Sequence, residues 1–330
     1  MASNEVWAVL LIVAVLAGSA ALTAAVLPWL RRRVLDRPGS RSSHQIAVPR
    51  GGGLAVIPVL AAGWIIAGRL DRAPSQAAVI AVIALALMLF SFRDDIQSLP
   101  ALVRLGAHFG AAIIGLHWLP GGAVFQGYLP PLLDRAASAL LWVWFINLYN
   151  FMDGIDGITV VETLGLGLGI AAVVALAGSA ADGTVVLALI AAAAAAGFLR
   201  WNWHQAKLFL GDAGSVPLGF VMGWLLLGLA ARGYWAPALI LPLYYLADAT
   251  LTLLRRIARR ERFWQAHRTH FYQRAAARDG NHADVARGIT LGDAALIGAA
   301  LIAVVQPWVG LAIGVVVSAL MLVWLARRAA

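Results

Sequence analysis

Residues 147–157 read Asn147-Leu-Tyr-Asn-Phe-Met-Asp-Gly-Ile-Asp-Gly157 and follow directly on the apolar run 136–146. Asparagine or aspartate recurs at every third position of this stretch, at 147, 150, 153 and 156. At about 100° per residue the first three side chains share one face of a helix, whereas Asp156 would lie opposite them. Because Gly154 and Gly157 allow the backbone to turn, the pattern predicts a buried helix that ends in a tight acidic turn.

Carboxylates at the edge of an apolar span cost free energy unless they bind a cation or a metal-bound phosphate. A plain polar turn at a membrane boundary is the alternative interpretation, and an isolated Asp-Gly pair would favour it. Four polar residues at one regular spacing favour a binding site instead.

The composition indicates a membrane protein. Of the 330 residues 62% are hydrophobic and only 12% are charged, whereas a soluble domain carries about 25% charged residues. The chain has no cysteine, which excludes disulfides and thiolate metal sites. The net charge of +9 is concentrated in a few loops, as expected for cytoplasmic loops of a membrane protein, so we expect no nucleic-acid partner.

About eleven apolar runs are long enough, or nearly so, to cross a hydrocarbon core of about 30 Å. Their approximate limits are 5–29, 52–68, 76–92, 101–118, 136–151, 158–178, 183–199, 213–231, 234–254, 289–305 and 308–326. We therefore predict a single integral membrane domain, residues 1–330, that is all-α and polytopic, with about 10–11 transmembrane helices. The first run lacks a basic leader and a cleavage-type ending, so we interpret it as a retained span.

The arginines predict the orientation of this bundle. The loops after runs one, three, five, seven and nine, with the C-terminus, hold nearly all of them, and the alternate loops hold only Arg69, Arg72, Arg135 and Arg232. Because cytoplasmic loops are enriched in Lys and Arg, the N-terminus should be periplasmic. The unusual polar residues all fall in the arginine-rich loops, so we expect an active site on the cytoplasmic face.

Two of these loops carry features of ligand sites. Arg50 precedes Gly51-Gly-Gly53 at the start of a predicted helix, and with His44 nearby these residues have the features of a cradle for an anionic head group. A basic loop with a flexible hinge is the alternative. Run three ends in Asp94-Asp95, and because adjacent carboxylates repel each other, one of them should have a raised pKa or share a cation with the other. The alternative is a pair of solvated loop aspartates.

Asp212 lies between small residues at the start of run eight, in Leu210-Gly-Asp-Ala-Gly-Ser215. We interpret it as a metal ligand, with Lys207 close enough in sequence to contact a phosphate. Since a helix N-terminus favours anions, a simple helix cap is the alternative.

The loop after run nine contains His267-Arg-Thr-His270, followed by Phe-Tyr-Gln-Arg274. Two histidines three residues apart would share a helix face. Zinc would explain that spacing, but no third ligand is evident nearby. A basic surface helix on anionic lipid is the other alternative.

Together and in this order, these four motifs resemble the polyprenyl-phosphate N-acetylhexosamine-1-phosphate transferases over nearly the whole chain. The resemblance implies a membrane bundle of about ten or eleven helices in the bacterial cytoplasmic (inner) membrane. It also implies an enzyme that moves a sugar 1-phosphate from a UDP-N-acetylhexosamine to undecaprenyl phosphate and releases UMP, with Mg²⁺ (or Mn²⁺) as cofactor. Membrane lipids and a second copy of the chain, as a homodimer, are further expected partners.

The resemblance also implies roles for individual residues. Catalytic roles are expected for Asp94, Asp95, Asp153 and Asp156, with Asp94 favoured as the base towards the lipid phosphate. Metal binding is expected for Asp212 and Asn150. Substrate binding is expected for Asn147, Asn150, Lys207, His267, His270, Arg268, Arg274, His44 and Arg50. The His-Arg-Thr-His sequence departs from the three consecutive histidines of the peptidoglycan translocase and is more similar to members that start O-antigen, capsule or teichoic-acid chains.

The chemistry explains why such residues are needed. A lipid phosphate that attacks the β-phosphorus of a UDP-sugar brings several negative charges together, and a bound Mg²⁺ would offset their repulsion. Mg²⁺ usually takes only one or two carboxylates. Five aspartates are therefore too many for one metal, and some must act as base or as positioning groups. Direct attack is the favoured route, with a covalent aspartyl-phosphate as the alternative.

Two other functions are less consistent with these residues. A transporter would place ionisable residues near the membrane midplane, whereas here few lie inside the runs. A CDP-alcohol phosphatidyltransferase would pack its aspartates along two adjacent helices, whereas these aspartates are spread over loops far apart in the chain.

Overall fold

A computed structural model of the protein describes residues 2–36, 47–71, 73–178, 183–261, 267–279 and 281–329. Two short strands, β1 (Leu35–Asp36) and β2 (Val48–Pro49), pair antiparallel. The helices are α1 (Ala2–Arg33), α2 (Gly53–Arg69), α3 (Gln76–Ile96), α4 (Ala101–His117), α5 (Pro131–Phe151), α6 (Ile158–Leu176), α7 (Thr184–Asn202), α8 (Asp212–Ala231), α9 (Trp235–Ile240), α10 (Leu243–Ala258), α11 (Phe271–Asp279), α12 (His282–Val305) and α13 (Pro307–Ala329).

The structure confirms an all-α polytopic membrane protein. Seven helices in the described ranges are long and apolar enough to cross a membrane: α1, α3, α6, α7, α8, α12 and α13. The apolar helices α2 and α4 are shorter, at 17 residues each. The number of crossings and their orientation stay predictions.

Run nine is not one helix. The predicted run 234–254 divides into α9 and α10, and Pro242 immediately precedes α10. Because proline has no backbone N–H, it is tolerated at a helix start and interrupts a helix interior. The loop after α10 also contains α11, a short helix that the hydropathy pattern does not reveal.

Helix α8 is the centre of the bundle, and 94% of its most apolar 18-residue window is buried. Its small residues let other helices approach closely: a Cβ on Gly219 would lie 2.8 Å from Cβ of Tyr149. Nearby, Trp142 of α5 stacks on Phe220 at 4.8 Å and donates its indole N–H to the carbonyl of Phe220 at 2.9 Å. These contacts pack α5 closely against α8.

The glycine segment before α2 joins the segment before α8. Gly52 and Gly53 donate their N–H groups to the carbonyls of Phe209 and Leu210, at 2.9 and 3.0 Å. A Cβ on Gly53 would lie only 2.2 Å from the carbonyl carbon of Ala213, so glycine is required by close backbone packing. The predicted anion cradle is therefore wrong for these two N–H groups, which are already engaged within the protein.

Candidate active site

The acidic stretch has the predicted form. Helix α5 ends at Phe151, and Gly157, with φ of 79°, directly precedes α6. Asp153, in the turn between them, accepts a hydrogen bond from the Thr159 hydroxyl at 2.6 Å. In α5, the Asn150 amide donates to Asp212 and to Ser215, both at 2.9 Å. The end of α5 and the start of α8 therefore meet, although the chain separates them by about sixty residues.

Asp95 is the cap of α8. Its two carboxylate oxygens accept the backbone N–H groups of Asp212 and Ala213, at 3.1 and 3.0 Å, and Arg50 lies 3.3 Å away through Nε. The alternative interpretation of Asp212 as the helix cap is therefore wrong, because the capping carboxylate comes from α3. The side chain of Asp212 remains available to the cavity beside it.

That cavity has a volume of about 190 Å³. Five residues predicted from sequence line it: Arg50, Asn150, Asp153, Asp156 and Asp212. Four further polar residues line it that the sequence did not indicate as site residues: Asp36, Asn202, Gln273 and His282. The cavity thus combines the first loop, the acidic turn, the start of α8, α11 and the start of α12.

The other predicted site residues lie elsewhere. Those absent from the cavity lining are Asp94, Asp95, Asn147, Lys207, His267, Arg268, His270 and Arg274, and His44 lies outside the described residues. The Asn147 amide donates back to the carbonyl of Val143 at 2.7 Å, and Lys207 is exposed.

The paired aspartates contact different arginines. Asp94 accepts the backbone N–H of Leu99 and pairs with Arg104 of α4 at 3.2 Å, whereas Asp95 pairs with Arg50. Each carboxylate therefore has its own arginine, and the two point to different partners.

The predicted helix face shared by His267 and His270 is wrong, because both residues precede α11. Their rings stack with centroids 4.8 Å apart. Helix α11 begins only at Phe271 because Asp248 of α10 caps it. The Asp248 carboxylate accepts the N–H groups of Phe271 and Tyr272 at 3.0 and 3.2 Å. Its Oδ1 also lies 3.3 Å from Nδ1 of His270, so this histidine is held by the anchor of α11.

One surface of α11 is covered by the protein, since Phe271, Tyr272, Ala275 and Ala276 are buried. The Tyr272 hydroxyl donates to the carbonyl of Phe151 at 2.9 Å, and burial raises the pKa of that hydroxyl well above its ordinary value. This contact places α11 against the acidic turn. It disfavours the alternative of a helix lying free on the lipid surface.

Asp156 has two histidine partners that the sequence analysis missed. Its Oδ2 lies 2.8 Å from Nδ1 of His204 and 3.3 Å from Nδ1 of His282, and accepts the N–H of Ala206 at 3.2 Å. His204 follows α7, and His282 begins α12. No spacing in the sequence connects these residues, so only the packing of the helix ends could show the contact.

The environments of the two turn aspartates differ. Burial raises the pKa of Asp153 to about 7, helped by the nearby charge of Asp212 and opposed by the hydrogen bond from Thr159. Burial would also raise the pKa of Asp156, but the contacts with His282 and His204 hold it below its ordinary value. Burial disfavours the charge of Arg50, yet Asp95 and Asp212 raise its pKa.

The donor atoms fit a hard divalent cation at one position. Asp153, Asp212 and Asn150 present oxygens to one cavity, as Mg²⁺ prefers. The side-chain amide of Asn150 donates its N–H groups to Asp212 and Ser215, so its side-chain carbonyl oxygen remains for a cation. The group of Asp156, His204 and His282 offers two ring nitrogens and one oxygen within 4.8 Å. Nitrogen donors do not suit Mg²⁺. The carboxylate of Asp156 is also already paired with Nδ1 of His204 at 2.8 Å.

A sequence profile of glycosyl transferase family 4 matches residues 77–230, from α3 to α8. Over 260 residues the chain is 30% identical to a probable undecaprenyl-phosphate N-acetylglucosaminyl 1-phosphate transferase of Bacillus subtilis (strain 168), which covers 74% of this chain and 70% of that protein.

Two further relatives have related names. A decaprenyl-phosphate N-acetylglucosaminephosphotransferase of Mycolicibacterium smegmatis is 30% identical over 61% of this chain, which spans only 57% of that protein. A phospho-N-acetylmuramoyl-pentapeptide-transferase of Synechococcus sp. (strain JA-3-3Ab) is 33% identical over 67% of this chain and 68% of its own length.

Proposed function

Because this chain belongs to glycosyl transferase family 4, we propose that it transfers an N-acetylhexosamine 1-phosphate from a UDP-sugar to a polyprenyl phosphate and releases UMP. The observation that carries the proposal is the cavity in which Asn150, Asp153, Asp156 and Asp212 meet beside Arg50. The names of the relatives support the polyprenyl phosphate acceptor and the amino-sugar donor.

We propose that the cavity opens on the cytoplasmic face of the inner membrane. The concentration of arginine in the loops around the cavity supports this orientation. The cavity lies where α5 ends and α8 begins, so a lipid phosphate at the membrane surface can approach it while its prenyl chain stays among the helices.

The cation site proposed for Mg²⁺ comprises Asp212, Asp153 and the carbonyl oxygen of Asn150. When bound, the ion would offset the charge of the diphosphate and of the departing UMP. Asp95 acts as a positioning residue, because it holds the start of α8 and with it the backbone of Asp212. Arg50, oriented by Asp95, adds positive charge at the cavity wall.

The acceptor phosphate is assigned to Asp94 and Arg104. Both lie close enough to Asp212 to act on it electrostatically, and Arg104 is 39% exposed and can contact a phosphate. Asp94 then accepts the phosphate proton, as the family resemblance implies. An acceptor oxygen bonds to the β-phosphorus, the bond from that phosphorus to the bridging oxygen of UMP breaks, and a lipid diphospho-sugar forms.

The donor class that we favour is a UDP-N-acetylhexosamine for O-antigen, capsule or teichoic-acid synthesis. The His-Arg-Thr-His sequence, which differs from the peptidoglycan translocase pattern, supports it. Two of the relatives above are named for N-acetylglucosamine.

The test is UMP release by purified protein with Mg²⁺, undecaprenyl phosphate and a panel of UDP-N-acetylhexosamines. Release that requires the lipid phosphate establishes the reaction, and the best donor identifies the sugar. If no donor yields UMP while the protein still binds UDP, the proposal is wrong. Chelation of divalent cations should abolish release, and Mg²⁺ should restore it.

A further inference from the structure

We propose that His282 donates a hydrogen bond to the diphosphate of the nucleotide donor and that Asp156 holds its ring for this contact. The inference rests on the proposed function and assigns a substrate-contacting residue. His204 shares the carboxylate of Asp156 and acts as a positioning residue.

The first step is the charge of the cavity. Its ionisable lining consists of four carboxylates, from Asp36, Asp153, Asp156 and Asp212, with Arg50 and His282 as the residues able to carry positive charge. Arg50 is already paired with Asp95 at 3.3 Å. A diphosphate in this cavity therefore needs donors beyond a single arginine and a metal ion.

The second step concerns the expected histidines. His267 and His270 do not line the cavity, and His270 is buried against Asp248. Within the described part of the chain, His282 is the histidine at the cavity wall. It enters from the start of α12, behind the acidic turn.

The third step is the orientation of the ring. Nδ1 of His282 lies 3.3 Å from Oδ2 of Asp156 and 3.4 Å from the backbone nitrogen of the same residue. Both contacts engage Nδ1, so Nε2 is the nitrogen left for a ligand, and it has no hydrogen-bond partner among the described residues. Because Nδ1 accepts the backbone N–H of Asp156, the neutral ring carries its hydrogen on Nε2, and Nε2 donates it to a phosphate oxygen.

The test measures, by calorimetry and with Mg²⁺ present, how tightly UDP and uridine bind to the detergent-purified protein. The affinity for uridine is obtained by competition against UDP. His282→Gln should weaken UDP binding by about 10- to 100-fold, because a hydrogen bond to a charged group is lost. Uridine affinity should change less than about twofold, since uridine lacks the phosphates. His117→Gln, at the far end of α4, is the matched histidine control and should change neither.

Unchanged UDP affinity in His282→Gln, or an equal loss for UDP and uridine, would overturn the assignment. Size-exclusion elution and the thermal unfolding temperature identify a variant that has not folded. If His282→Gln has not folded, Asp156→Asn is the second variant, and it should weaken the binding of UDP but not of uridine. If both single variants fold, the double variant should bind UDP no more than about threefold worse than the single variant with the lower UDP affinity. If the two single losses of UDP affinity multiply in the double variant, Asp156 does not act through His282.

In transfer assays His282→Gln should lower kcat/KM for the UDP-sugar by a similar factor and leave the KM for polyprenyl phosphate within about twofold. The binding test needs no turnover. If UDP binding depends on His282 but the wild-type protein releases no UMP, only the proposed function is refuted. If the protein transfers the sugar phosphate but UDP binding does not depend on His282, only this inference is refuted.

Discussion

The carboxylate of Asp95, near the end of α3, accepts the backbone N–H of Asp212 at 3.1 Å across 117 residues of sequence. One aspartate of the conspicuous pair thus holds the helix start that carries the proposed metal ligand. A carboxylate that caps a helix and pairs with an arginine is oriented by several bonds at once, so its effect on Asp212 is positional.

Replacing Asp95 should therefore weaken metal use. Asp95→Ala removes the cap of α8, at a cost of about 1 kcal/mol, and leaves Arg50 unpaired. We expect the Mg²⁺ concentration for half-maximal UMP release to rise several-fold. Asp134→Ala is the matched control, because Asp134 accepts the N–H groups of Val124 and Phe125 away from the cavity. A similar rise in that control would show general destabilisation instead.

Replacing Asp212 should abolish transfer. Asp212→Asn keeps the size of the side chain and removes the charge proposed to hold Mg²⁺, so we expect a loss of at least about 100-fold in kcat. Membrane insertion and detergent elution should be unchanged. The thermal stabilisation of wild type by Mg²⁺ should disappear in the variant. Retained activity would contradict the metal assignment.

The metal-free protein should lose stability as pH rises through 7 because of Asp153. Its pKa in the folded protein is about 7, above its unfolded value of about 3.9. A raised carboxyl pKa stabilises the fold at low pH, and this contribution is lost as the group ionises. Linkage gives a loss of about 1.4 kcal/mol between pH 6 and pH 8 from this one group.

The measurement is the thermal unfolding temperature in chelator at pH 6 and pH 8. Asp153→Asn should remove the part of the decrease that this group causes. If the variant and wild type show the same decrease, Asp153 is not the group responsible. Saturating Mg²⁺ should reduce the decrease in wild type, because a bound cation favours the ionised carboxylate.

Replacing Asp248 should loosen α11. Asp248→Asn weakens the acceptor for Phe271 and Tyr272 and the contact with His270. We expect α11 to lose about 1–2 kcal/mol of local stability. Amide hydrogen exchange in 271–279 should therefore accelerate by roughly 5- to 30-fold. Asn281→Ala, which removes the cap of α12, is the control and should accelerate exchange at the start of α12 alone. Unchanged exchange in α11 after Asp248→Asn would show that other contacts hold it.

Part of the candidate site was predictable from the sequence, and part was not. Asn150, Asp153, Asp156 and Asp212 were identified because polar residues at the end of an apolar run are costly and therefore conspicuous. His282 and Asp36 give no such signal, since a single histidine or aspartate beside a basic loop is ordinary. The expected role of His267 and His270 rested on their spacing, and the cap supplied by Asp248 changed that geometry.

The membrane class, the positions of most helices, the clustering of arginine and the acidic turn follow from the sequence alone, because hydropathy and glycine act locally. Packing of the helix ends determined which carboxylates face the cavity and which are used as caps. Asp95 and Asp248 illustrate the difference: a buried carboxylate pairs with whichever N–H groups and cations the fold brings near it. Those partners lie 117 and 23 residues away, beyond the reach of any local pattern.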